Sequence, residues 1–344
     1  DGDDVLYAYS PGGSSSTLGS LVNGSSLFDS DGDYIDNSAV KGVENKIAMS
    51  SVGGSSGITT IAGKQYGVSG GGYYGSGADV WYAETLDGEA LFFGEATGSS
   101  SVAIASIGDT ISSNIIVEGR GNFIIHSGNG DDSITVGKTA QVQSILAGDG
   151  NDTLVNNGLI SADPSSGSHY SYYGSTGKIS SVYMGAGSDV IFNNGALDKT
   201  YGGDVYGTSD TGTDSIYLGE NSVIGGEKVN NAQTLREFLF YNGSSTLGSS
   251  GELNGFEAIF DAQGNQIGGS VKSNGSAQTV TIGTKKYDID GSTGATVTWV
   301  VDESGVISFT ENNGSTTITA HDGQADNVII NGENITFYAG DGND

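Results

Sequence analysis

The residues of this chain with the clearest chemistry are aspartates that follow paired glycines at a fixed offset. Ser127-Gly128-Asn129-Gly130-Asp131-Asp132-Ser133-Ile134-Thr135 and Ala147-Gly148-Asp149-Gly150-Asn151-Asp152-Thr153-Leu154-Val155 share the form small-Gly-x-Gly-x-Asp-x-apolar-x. Tyr74-Gly75-Ser76-Gly77-Ala78-Asp79-Val80-Trp81 and Met184-Gly185-Ala186-Gly187-Ser188-Asp189-Val190-Ile191 are further copies. Weaker copies supply Asp214, where Asp210 stands for the second glycine, and Asp326, where Gln324 replaces a glycine. The glycines allow positive φ and close backbone approach. The aspartate offers a hard anionic oxygen, the kind of ligand that Ca²⁺ takes together with main-chain carbonyls. The apolar residue two positions later points inward at the start of a strand. An isolated Asp-Gly such as Asp87-Gly88 needs none of this, because an aspartate readily caps its own turn.

Two fragments of the same unit lie at the termini. Asp1-Gly2-Asp3-Asp4-Val5-Leu6 reads as a back half and brings Asp4; Ala339-Gly340-Asp341-Gly342-Asn343-Asp344 reads as a front half and brings Asp341 and Asp344. They suggest an excerpt of a longer protein, or a processed one. The run Asp29-Ser30-Asp31-Gly32-Asp33-Tyr34-Ile35-Asp36 has carboxylates at alternating positions, like a calcium loop in general. It lacks the glycine placement and helical flanks of an EF-hand.

The nonapeptide resembles the repeat-in-toxin (RTX) repeat of secreted bacterial proteins, Gly-Gly-x-Gly-x-Asp-x-apolar-x, over about a third of the chain. The resemblance implies a parallel β-roll with Ca²⁺ held between successive coils. By the same resemblance the metal ligands are the glycine-turn carbonyls, including Gly128, Gly130, Gly148, Gly150, Gly185 and Gly187, and the carboxylates Asp79, Asp132, Asp152 and Asp189. Asp149, Asp214, Asp326, Asp341, Asp344 and Asp4 join that set. Departures are plain: the first glycine is usually Ser, Ala, Tyr or Met, and Gly119-Arg120-Gly121-Asn122-Phe123 has Phe where the ligand belongs.

Spacing indicates which elements position these turns. Asp132 to Asp152 is 20 residues and Asp326 to Asp344 is 18, each near one coil of two nine-residue half-turns. Asp152 to Asp189 is 37, a coil plus an excursion through Asp163-Pro164-Ser165, and Asp189 to Asp214 is 25. Asp132, Asp152, Asp189 and Asp214 are therefore expected to form one ladder. Strands ending in Asn-Gly, as at Val155-Asn156-Asn157-Gly158 and Ile191-Phe192-Asn193-Asn194-Gly195, also resemble β-helical autotransporter and adhesin passengers. The two resemblances agree on a solenoid and differ on the need for metal. After residue 229 the style changes: alternating runs such as Val297-Thr298-Trp299-Val300-Val301 and Val306-Ile307-Ser308-Phe309-Thr310, joined at Glu303-Ser304-Gly305, read as an antiparallel meander. The one short helix candidate is 231–239. The expected organisation is all-β: an irregular β-rich opening segment 1–60, a calcium-binding parallel β-roll or β-helix solenoid 61–228, a small antiparallel β insertion or second β module 229–320, and a return to the solenoid coil at 321–344.

Composition limits the remaining possibilities. The chain has 344 residues, 59 Gly, 2 Pro and no Cys, so disulfide, zinc-thiolate and thiol chemistry are excluded. The formal net charge is −29, from 41 acids against 12 bases. Such a chain has no basic stripe to neutralise phosphates, so nucleic acid is not an expected partner. Its carboxylates repel one another when folded, and bound cations would relieve that. No run of 18 apolar residues occurs, so no membrane span is expected in this chain. His126, His169 and His321 lie far apart and form no His-Glu-x-x-His motif, no Gly-x-Ser-x-Gly elbow precedes a helix, and no catalytic constellation is expected.

Tyr73 and Tyr74, with Tyr170, Tyr172 and Tyr173, form two aromatic clusters in Gly/Ser-rich loops. They are candidate contacts for cell-surface glycans or a protein partner, because tyrosine is rigid and amphipathic. The expectation is a non-enzymatic, calcium-stabilised structural or adhesive module of a large bacterial surface protein, extracellular, acting by self-association or by stacking on neighbouring repeats. The alternatives are a calcium-binding accessory module of a secreted RTX-type enzyme or toxin, and a metal-independent sugar-binding β-helix passenger.

Overall fold

The computed structural model describes residues 7–9, 26–28, 34–35, 50–51, 56–71, 79–84, 88–95, 101–160 except 109 and 121, 182–197, 200–201, 212–240, and 253–344 except 313 and 322. The fold is all-β, and the described residues include one helix, Ala232–Phe240. No helix among the described residues is long and apolar enough to cross a membrane.

Two large sheets of 13 and 12 strands contain most of the strands, and between residues 90 and 260 the chain passes repeatedly from one to the other. In the first sheet Ala90–Glu95, Asn114–Arg120, Ser133–Val136, Thr153–Asn156, Val190–Asn193, Ser215–Leu218 and Ala258–Phe260 pair in parallel, each with the next. In the second, Ser101–Ile107, Asn122–His126 and Gln141–Asp149 do the same, followed by the short strands Leu159–Ile160, Ala196–Leu197 and Val223–Ile224. Parallel neighbours need a long crossover. Here the crossover is the strand contributed to the other sheet.

The register follows the period-2 pattern. Ile115, Ile134, Leu154, Ile191, Ile216 and Ile259 face one another across successive strands, and each is at most 3% exposed. Burying each such side chain contributes about 1.5–3 kcal/mol, and it packs in one core with the inward residues of the other sheet. The helix closes the core beyond Ile224. Asn231 caps it, its Oδ1 accepting the Thr234 N–H at 2.9 Å while Thr234 Oγ1 accepts the Asn231 N–H at 3.1 Å. Ala232, Leu235 and Phe240 point into the core.

Antiparallel pairing occurs on both sides of this stack. Before it, Ser56–Ile61 pairs with Lys64–Gly71 and Asp79–Glu84 with Ala90–Glu95. The short link between the latter two permits only a hairpin. The strands Lys64–Gly71 and Asp79–Glu84, read from the sequence as calcium coil, are thus paired antiparallel. After the stack, Gln266–Lys272, Thr296–Val301 and Ile307–Asn312 extend the 13-stranded sheet. Gln278–Ile282, Lys285–Gly291, Thr316–Ala320 and Ile335–Tyr338 form a separate four-stranded sheet. The two enclose a second core around Trp299, Tyr287 and Phe309.

Candidate metal centre

The parallel register brings Asp132, Asp152, Asp189 and Asp214 onto one edge, each directly before its strand. They form a continuous hydrogen-bonded ladder. The Asp132 N–H donates to Asp152 Oδ1 at 2.8 Å, the Asp152 N–H to Asp189 Oδ1 at 2.7 Å, and the Asp189 N–H to Asp214 Oδ1 at 2.9 Å. All four are buried, at most 2% exposed. Two further rungs terminate the row. The Ser113 N–H donates to Asp132 Oδ1 at 2.6 Å, and the Asp214 N–H donates to Glu257 Oε2 at 2.7 Å. Sequence reasoning missed both, although Ser113-Asn114-Ile115 and Glu257-Ala258-Ile259 carry the same polar-x-Ile pattern as Asp132-Ser133-Ile134.

Glycine is required at the half-turns for a stacking reason. Gly148 has φ +117°, and a Cβ there would stand 1.8 Å from Gly128 O. A Cβ on Gly150 would stand 2.2 Å from Gly130 O, on Gly185 1.7 Å from Gly148 O, and on Gly187 1.8 Å from Gly150 O. Each carbonyl therefore lies against the α-carbon of the next coil. The Gly130 N–H donates to Asp149 O at 2.6 Å, while the Asp149 side chain is exposed. Outside the buried row runs a second polar one: Asp131 Oδ1 accepts the Asn151 N–H at 2.8 Å, and Asn151 Oδ1 accepts the Ser188 N–H at 3.0 Å.

The electrostatics of the buried row are adverse without a counter-charge. In Asp132 and Asp152 one carboxylate oxygen is bonded to the main chain, and Oδ2 is buried with no hydrogen-bond partner. Neighbouring rungs sit about 4.8 Å apart, the strand spacing. Burial pushes Asp152 up to about 8; the Asp132 N–H opposes the shift, and the flanking Asp189 and Asp132 charges add to it. Asp132 is pushed up to about 6, again by burial, against the Ser113 N–H, the nearby Ser127 hydroxyl and the attraction of Lys64. The smaller shift fits its place at the ladder's uncharged end. Buried carboxylates of this kind are stable when protonated or when paired with a cation.

The donor set fits calcium in type: carboxylates with a spare buried oxygen, beside turns whose glycine carbonyls lie between coils. Among the described residues no three His, Cys, Asp or Glu side chains converge, so a cation would draw main-chain carbonyls into its shell.

The other candidates fall elsewhere. Asp79 begins the strand that pairs antiparallel with residues 90–95, opposite Glu95, and lies outside the ladder. Asp326 and Asp344 repeat the rung geometry, the Asp326 N–H donating to Asp344 Oδ1 at 3.0 Å, and Asp341 O accepts the Gly323 N–H at 2.6 Å. Asp326 already has protein donors. The Tyr287 hydroxyl donates to its Oδ1 at 2.7 Å, and Lys285 Nζ lies 3.4 Å from Oδ1 and bonds Ala325 O. Asp4, Tyr73, Tyr74, Tyr170, Tyr172 and Tyr173 lie outside the described residues, as does Asp87.

Two features were not anticipated. At the far end of the coil strands, buried Asn156 donates from Nδ2 to Asn193 Oδ1 at 2.8 Å, and Asn193 Nδ2 donates to Ser222 Oγ at 2.7 Å. The repeated Asn-Asn-Gly was the available signal. On the outer face Phe192, Tyr217 and Phe260 stack in register, with ring centroids 4.8 and 4.5 Å apart. No family model matches the chain, and neither a curated protein nor a solved structure matches it.

Proposed function

We propose that this chain is a calcium-stabilised parallel β-solenoid serving as an extracellular structural or adhesive module of a large bacterial surface protein, acting by contact and not by turnover. The observation that carries the reading is the buried carboxylate row, in which Oδ2 of Asp132 and of Asp152 is buried without a hydrogen bond. A formal charge of −29 makes neutralisation of that row valuable to the whole fold. Asp132, Asp152, Asp189 and Asp214 would hold the metal together with glycine carbonyls of the half-turns. The ion would supply the charge that lets the coils stack. Extracellular modules bind Ca²⁺ at about 10⁻⁴–10⁻³ M, which suits a scaffold set by the surrounding medium.

Titration calorimetry on chelator-treated full chain tests this, paired with thermal melting. Saturable Ca²⁺ uptake with a rise in melting temperature supports the reading. No heat and an unchanged melt, after verified calcium removal, would reject it.

The metal-independent passenger reading draws on a different observation. Every ladder Oδ1 or Oε2 described above already accepts a main-chain N–H, and the Asn156–Asn193 pair binds coil to coil without charge. In that reading the outer aromatic row, with Phe192 43% exposed, would be the contact surface for glycans. A calcium-indifferent melt with glycan binding lost in Phe192→Ala would favour it.

A further inference from the structure

The described strands before and after the central stack have the same topology in the same chain order. In the first set Ser56–Ile61 pairs antiparallel with Lys64–Gly71, which pairs antiparallel with Ser101–Ile107, which pairs parallel with Asn122–His126. In the second, Gln278–Ile282, Lys285–Gly291, Thr316–Ala320 and Ile335–Tyr338 pair in that order with the same three senses. In the opposite sheet Asp79–Glu84, Ala90–Glu95 and Asn114–Arg120 correspond likewise to Thr296–Val301, Ile307–Asn312 and Val328–Asn331.

The register matches residue by residue. Ile61-Ala62-Gly63-Lys64-Gln65-Tyr66 and Ile282-Gly283-Thr284-Lys285-Lys286-Tyr287 both make two-residue hairpin turns in the same register, with Ile61 opposite Lys64 and Ile282 opposite Lys285. Tyr66 meets Phe92 edge-on at 5.5 Å and 75°; Tyr287 meets Phe309 at 5.5 Å and 70°. The first rung of each is equivalent too: the Ser113 N–H donates to Asp132 Oδ1 at 2.6 Å, and the Asp326 N–H to Asp344 Oδ1 at 3.0 Å.

The two copies differ in what covers them. On the first, Asn114–Arg120 and Asn122–His126 are paired on their outer sides by Ser133–Val136 and Gln141–Asp149. Val117, Phe123 and Ile125 are consequently 0% exposed. On the second, Val328–Asn331 and Ile335–Tyr338 are, among the described residues, the edge strands of their sheets. Their inward residues Ile330, Ile335 and Phe337, the counterparts of those three, are only partly buried. Asp344 is exposed where its counterpart Asp132 is 2% exposed. An edge with unpaired main-chain groups and half-covered apolar side chains is a template for another strand.

We propose that this second edge is a docking face for a further glycine–aspartate coil, a segment of the Asp-x-apolar-x-apolar type that pairs in parallel with 328–331 and then with 335–338. The first copy supplies the specification: 133–149 is the occupant that the same edge carries there. The inference rests on strand pairing, not on calcium.

The test is the full chain with a copy of residues 133–160 fused directly after Asp344, compared by hydrogen exchange with the unextended chain. Amides of 328–331 and 335–338 should slow by about tenfold or more. A second fusion, whose copied segment carries Ile134→Ser and Val136→Ser, should lose that protection. Exchange at the two edges unchanged by the first fusion would overturn the proposal, as would equal protection by both fusions. Concentration-dependent protection of the same amides in the unextended chain would also overturn it, because a second copy would then be the occupant. Each comparison is run with calcium and with EDTA. Protection in both supports the docking face even if calcium binding fails. No protection in either, while the native 133–160 amides respond to calcium, rejects the docking face and leaves the calcium reading standing.

Discussion

At the residue scale, the ladder combines two demands that pull on different side chains. The carboxylate must accept an N–H from the neighbouring coil, and the preceding glycines must lack a Cβ because a carbonyl occupies its place. Gly148→Ala therefore forces a backbone shift and a disfavoured φ together, and we expect a loss of about 3–5 kcal/mol in unfolding free energy by denaturant titration. Gly264→Ala is the control: its φ of +81° is also one that L side chains rarely adopt, but nothing lies within 4 Å of the added carbon. It should cost about 1–2 kcal/mol. Equal losses would mean that φ, and not coil-to-coil contact, fixes the glycines. The carboxylates also predict a pH response. Asp132 at about 6 and Asp152 at about 8 lie above the ordinary unfolded value of about 3.9. Between about pH 4 and 8 the folded chain then holds more protons than the unfolded chain. Their contribution to stability is complete below about pH 4 and is lost as pH rises through 6 and 8. In EDTA the melting temperature should fall over that window, and calcium should flatten the fall. A flat profile in EDTA would show that the row is neutralised in some other way.

At the element scale, the legible signals were those repeated in one residue type. Aspartate before an apolar position gave the four-rung ladder, since 20, 37 and 25 residues are different path lengths between equivalent points on one edge. The ends were not legible. A serine and a glutamate serve the same backbone geometry at Ser113 and Glu257, and neither residue type announces it. The helix start was readable because Asn231 and Thr234 supply a reciprocal cap. Equivalence between 56–126 and 278–338 was hidden because it lies in strand pairing and in a sparse Ile-x-x-Lys-x-Tyr pattern, not in the glycine motif. The asparagine pair was hidden because Asn-Gly also serves as ordinary turn chemistry. Asn156→Ala should cost about 1–3 kcal/mol, because it removes the acceptor of the buried Gly158 N–H and leaves Asn193 Oδ1 only the longer bond from the Gly195 N–H at 3.3 Å. A change within about 0.5 kcal/mol, the range of an ordinary surface substitution, would remove the pair from the coil-stacking account.

At the scale of the whole molecule, the fold treats its acidity in two ways. The central stack buries its carboxylates side by side, each accepting a main-chain N–H on one oxygen. The second copy also leaves Asp326 Oδ2 buried without a hydrogen bond, but sets a tyrosine hydroxyl and a lysine ammonium against its Oδ1. Metal dependence should accordingly be local, concentrated in 113–257 and weak around 323–344. The most direct measurement is hydrogen exchange of the full chain at about pH 7.5 in millimolar calcium and in EDTA, read at the amides that donate to ladder carboxylates. The account predicts that the Asp132, Asp152 and Asp189 amides are protected with calcium and exchange quickly without it, while the Asp326 amide changes little. Equal protection of the three ladder amides after verified calcium removal would contradict it.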